Sequence, residues 1–99
     1  MADKLEIIWS DQSIQRVDQV LKYLHDNWSE KEIENFLDAI EGFEEIVSRF
    51  PHVYPESQLL KGYRRAVLAK QISVLYSVHK TSIKVHTLFD NRQDPNKLK

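Results

Sequence analysis

The stretch Ile72-Ser73-Val74-Leu75-Tyr76-Ser77-Val78, then His79-Lys80-Thr81-Ser82, then Ile83-Lys84-Val85-His86-Thr87-Leu88-Phe89, holds two runs rich in β-branched and aromatic residues around a short polar break. Such runs read as adjacent strands. A hairpin turning at Lys80-Thr81 pairs His79 with Ser82, Val78 with Ile83 and Tyr76 with Val85. Side chains alternate along a strand, so this register puts Ile72, Val74, Tyr76 and Val78 on one face with Ile83, Val85, Thr87 and Phe89. Ser73, Leu75, Ser77 and His79 share the other with Lys84, His86, Leu88 and Asp90. One face is greasy and needs cover; the other is mostly polar and open to water or to a partner.

Upstream, 63–69 reads as a further strand, reached through a loop over 52–62 that carries Pro55 and Gly62. Before the loop come two helical patterns. In the first, Ile14, Val17, Val20, Leu21, Leu24 and Trp28 recur at steps of three and four, with Ser10 or Asp11 able to cap its start. The second opens on Ser29-Glu30-Lys31-Glu32, a capping-box pattern in which the Ser29 hydroxyl accepts from the Glu32 amide. Its stripe is Ile33, Phe36, Leu37, Ile40, Phe43, Ile46, Val47 and Phe50, and Pro51 stops it. Gly42 in mid-helix predicts a close approach to the first helix. Leu5, Ile7 and Trp9 alternate with polar residues in a first strand, with Trp9 and Trp28 read as core or hairpin anchors. The order is β-α-α-β-β-β, an α+β domain of two layers. An N-terminal strand joins a mainly antiparallel sheet, and a helix hairpin packs on one of its faces.

With 99 residues, 41% hydrophobic and 29% charged, the chain is the size of one domain, expected over 1–99. No apolar run is long enough to cross a bilayer and no signal-peptide core follows Met1, so a cytoplasmic location without membrane contact is expected. The absence of cysteine excludes disulfides and thiolate chemistry. Net charge is −1, yet residues 1–50 carry 5 Lys/Arg against 12 Asp/Glu, whereas residues 51–99 carry 9 against 3. An anionic partner belongs on the basic second half.

His25, His52, His79 and His86 show no metal-ligand spacing, so neither a metal site nor a cofactor is expected. His79 and His86 share the outer sheet face in the register above and can act in proton transfer near neutral pH; exposed strand histidines without chemical duty are the plainer alternative. Arg64 and Arg65 are neighbours in a strand and must point to opposite faces, one outward and one to the rim of the core. With Lys61, Lys84 and Arg92 they can make a patch that grips phosphates or a carboxylate-rich peptide. Strand cations also serve simply to protect edges. Arg92 and Gln93 follow the last strand and precede Asp94-Pro95, which presents them at the sheet's edge as a cap or as recognition residues.

Ile7-Ile8-Trp9-Ser10, Phe50-Pro51, Gly62-Tyr63-Arg64-Arg65, Leu75-Tyr76 and Arg92-Gln93-Asp94-Pro95 together, in this order and spacing, resemble the RelE/ParE superfamily of bacterial toxins across the whole chain. The resemblance implies the toxin of a type II toxin-antitoxin system of the plasmid stabilisation kind. A cognate antitoxin, whose segment folds around the toxin in a hetero-oligomer, would hold it inactive. RelE-like members cleave messenger RNA on the ribosome, whereas ParE-like members act on DNA gyrase. RelE-like nucleases typically carry an arginine three residues before the tyrosine of the third strand, where this chain has Ser73, and end on a tyrosine or histidine, where it has Asn96-Lys97-Leu98-Lys99. The Arg-Gln-Asp-Pro ending resembles the ParE-like branch. A metal-independent ribonuclease would draw on His79, His86 and Arg92, and a peptide-binding module without toxicity is a third possibility.

Overall fold

The structure, a computed structural model, describes residues 4–58, 60–69 and 72–90. In chain order it has β1 (Glu6–Trp9), α1 (Asp11–Asn27), α2 (Glu30–Arg49), β2 (Arg64–Ala69), β3 (Ile72–Val78) and β4 (Ser82–Asp90). The strands form one sheet in the order β1-β4-β3-β2, with β1 parallel to β4 and the other pairs antiparallel. The α+β architecture and the mainly antiparallel sheet expected from the residue pattern are therefore present.

Each helix begins just after a serine whose own backbone is extended. At α1 the Ser10 hydroxyl accepts from the Ser13 amide at 3.0 Å and donates to the His86 carbonyl at 2.8 Å, pinning the β1–α1 corner to β4. Ser29 caps α2 through its backbone: the Glu32 amide reaches the Ser29 carbonyl at 3.0 Å, and the side-chain bond of the expected capping box is not made. The helix still starts at the right residue, because acidic Glu30 and Glu32 in the first turn favour that end of the helix dipole.

The core lies between the helix hairpin and one sheet face. Phe36, Phe43 and Val47 of α2 meet Ala66, Val74, Tyr76, Ile83, Val85 and Leu88 of the sheet, and Val17, Val20, Leu21 and Leu24 of α1 close over them. Trp9 packs edge-on against Phe43 at 6.3 Å between ring centroids and donates its indole N–H to Glu44. Trp28, by contrast, is not a core anchor. It ends α1 and is 58% exposed, and Ile14, Leu37, Ile46 and Phe50 of the two stripes are also largely open. Two antiparallel helices over four strands shield only the inner part of each stripe.

Two further expectations fail in informative ways. The hairpin pairs Val78 with Ile83 and Tyr76 with Val85 as expected, but Leu75 then pairs with Thr87, so His86 is an extra residue in β4. This bulge reverses facing beyond it. Leu88 enters the core at 1% exposed, while Phe89, opposite Ser73, joins the outer face. Gly42 makes no close approach to α1; a Cβ built there meets nothing within 4 Å. Glycine in a helix interior is less favourable than alanine by about 1 kcal/mol, and no contact among the described residues explains it.

Candidate functional site: the outer face of the sheet

Because the helices cover one side, the reverse of the sheet is the surface on which several strands present side chains together. Ile8, Lys84 and Ser77 form one row across β1, β4 and β3. Thr87, Leu75 and Arg65 form the next, followed by Phe89, Ser73 and Val67. Leu75 is buried beneath this surface, and Ser73 is wholly buried.

The bulge in β4 does the positioning. It carries the exposed imidazole of His86 against the ring of Tyr63, just before β2, at 5.2 Å between centroids. It also turns Phe89 outward, beneath the guanidinium of Arg65, whose carbon sits 5.2 Å from the ring centroid. Arg65 Nε donates to the Ser73 hydroxyl at 3.3 Å. At the hairpin end, Ser77 Oγ and His79 Nε2 are 2.8 Å apart. The surface is therefore a strip of cations and rings: Lys84, His79, the Tyr63–His86 pair and the Arg65–Phe89 pair.

The structure separates the two arginines as strand alternation requires. Arg64 lies at the core rim opposite Tyr76, where Nη1 donates to the carbonyls of Tyr54 at 2.7 Å and His52 at 3.4 Å. It clamps the loop before β2 and is not part of the outer strip. Lys61 lies in the exposed turn that leads to Tyr63. Arg92 and Gln93 lie outside the described residues. Among the described residues no group of acidic, histidine or cysteine side chains is arranged to hold a metal.

Tyr63 and Phe89 are the members of the strip that sequence reasoning undervalued. The unbulged hairpin register assigns Phe89 to the core, and the bulge that moves it has one trace in the sequence. Ile83, Val85 and Leu88 are the buried hydrophobic residues of β4, spaced by two and then by three. A strict alternation puts Thr87 in the core instead, a hydroxyl where Leu88 stands ready. Chemically, rings beside cations can stack bases while holding phosphates, or grip an acidic peptide, and two imidazoles give the strip groups able to transfer a proton.

No family model matches the chain, and no curated protein matches it in sequence. Solved structures do match in fold. The chromosomal ParDE toxin-antitoxin system from P. aeruginosa overlays with a TM-score of 0.72 at 14% identity, covering 90% of this chain and 98% of that one. The E. coli DinJ-YafQ toxin-antitoxin complex gives 0.65 at 13% identity, covering 93% and 98%. The YoeB dimer from Staphylococcus aureus gives 0.60 at 18% identity, covering 85% and 93%. Identities this low speak to architecture: a strand, a helix hairpin and a three-stranded antiparallel unit on which the first strand closes in parallel. In fold, this chain is similar to these toxin-antitoxin proteins.

Proposed function

We propose that this chain is the toxin of a bacterial type II toxin-antitoxin system, neutralised by a cognate antitoxin and arresting growth in the ParE-like manner, through DNA gyrase. The observation that carries the ParE-like reading is Ser73. It occupies the position where RelE-like nucleases hold an arginine, and its wholly buried hydroxyl accepts from Arg65 Nε, so the position itself supplies no cation to a scissile phosphate. Expression without antitoxin should stop growth and inhibit DNA supercoiling.

A second reading keeps a specific observation in its favour. His86, exposed on the bulge beside Tyr63, and His79, on the same face, give a ribosome-dependent ribonuclease two proton-transfer groups and a ring to stack on. Cleavage of messenger RNA at the ribosomal A site in primer extension would establish it and displace the gyrase reading. Normal colony formation on expression would instead identify a binding module without toxicity.

For the antitoxin, the outer strip is the fitting surface. Its apolar footing is Ile8, Val67 and Phe89 rather than Leu75 and Leu88, and Lys84 and Arg65 suit an acidic segment that orders on binding.

A further inference from the structure

Away from the outer strip, a groove of about 870 Å³ opens between β1 and α2, lined by Leu5, Ile7, Asp38, Glu41, Gly42 and Glu44 among others. β1 is an edge strand whose ladder is made on one side only, to β4. The Glu6 and Ser10 amides bond to Thr81 and Val85 across that ladder. Amides alternate in direction along a strand, so those of Ile7 and Trp9 point the other way, to the free edge. The Leu5 amide, at the start of this edge, is taken up by the Ser48 carbonyl at 3.0 Å. The unpaired N–H and C=O groups of such an edge are a template for another strand.

Two features of α2 identify what fits there. Gly42 borders the groove, no described residue comes within 4 Å of where its side chain would be, and a side chain there would stand in the open space beside β1. Charge is the second. Glu45 is neutralised by Lys4 at 3.0 Å and Arg49 at 2.9 Å, whereas Asp38 and Glu41 have no ion pair among the described residues. A second copy of the chain would bring the same acidic wall against this one.

We propose that the β1 edge accepts an extended, Lys- or Arg-bearing segment of a partner protein as a fifth strand, its backbone bonded to Ile7 and Trp9, its cations on Asp38 and Glu41 and its path kept clear by Gly42. This is β-strand addition into a groove of complementary charge. The surface is separate from the outer strip, and the proposal does not rest on the toxin reading.

The test is a titration of the ¹⁵N-labelled full chain with the blocked heptapeptide Lys-Val-Lys-Val-Lys-Val-Lys. The expected result is shift changes centred on the amides of Ile7, Trp9 and Gly42, and hydrogen exchange slowed at least fivefold at Ile7 and Trp9. Gly42→Leu and Glu41→Lys should each weaken binding at least tenfold with the spectrum of the fold retained. A peptide N-methylated at alternate residues should fail to bind. No change at the Ile7 and Trp9 amides, equal binding of the Glu-Val counterpart, changes confined to Lys84 and His86, or peptide-free protection that grows with protein concentration would overturn the proposal, the last by assigning the edge to a second copy.

Discussion

Tyr76 shows how one side chain can fasten a layer to a loop. Its ring is fully buried among Phe43 and Tyr54, and its hydroxyl donates to the Pro51 carbonyl at 2.8 Å, just past the end of α2. Burial pushes its hydroxyl up to about 12, since a phenolate cannot be solvated there. A group raised in the folded state contributes stability that is complete below its unfolded value near 10 and is lost as pH rises toward 12. Urea unfolding followed from pH 8 to 12 should therefore show stability falling above pH 10, and Tyr76→Phe should flatten that fall. The same variant leaves the Pro51 carbonyl short of its donor and should lose about 1 to 3 kcal/mol at neutral pH. Arg65 is the second informative residue, held over Phe89 on the outer strip. If the strip grips an acidic antitoxin segment, Arg65→Glu should weaken the complex at least tenfold, about 1.4 kcal/mol. Calorimetry showing unchanged affinity would remove Arg65 from that role.

Among the elements, β4 decides the most, because one extra residue at His86 exchanges the duties of the two residues that follow Thr87. Leu88→Ala should cost about 2 to 5 kcal/mol, as expected of a leucine removed from a packed core. Phe89→Ala should cost less than half as much, since that ring lies on the outer face. Equilibrium unfolding of the two variants would check this order, and the reverse order would restore the unbulged register. In α2 the informative position is Gly42. With open space around it and an ordinary helical backbone, Gly42→Ala should raise stability by about 1 kcal/mol, read as a higher thermal midpoint. A loss of stability would mean that the groove beside β1 is closed in solution.

Across the whole molecule the two charge blocks take separate places: the acidic one lies largely on the helices and the rim of the β1 groove, and cations of the second half meet rings on the back of the sheet. Among the described residues no helix is long and apolar enough to cross a membrane. Element order, strand lengths and most of the core were legible from the chain, because hydrophobic periodicity and serine or proline stops act locally and every fold must obey them. The separation of Arg64 from Arg65 was legible for the same reason, as it follows from alternation within one strand. What the residue pattern missed depends on pairing over distance. The bulge at His86 is an agreement between two strands about which apolar residue to bury, and it placed Leu88 inside, Phe89 outside and His86 against Tyr63. Ile14, Leu37 and Trp28 carry the same periodic signal as buried neighbours, yet a hairpin laid over four strands can cover only part of each stripe. The open groove at Gly42 was hidden because a glycine admits a close neighbour and an empty space equally well. Local chemistry thus determined which elements form and which side chains share a strand face. Only the assembled layers decided which of those faces is sealed, which is left as a binding surface, and where the sheet stays unfinished.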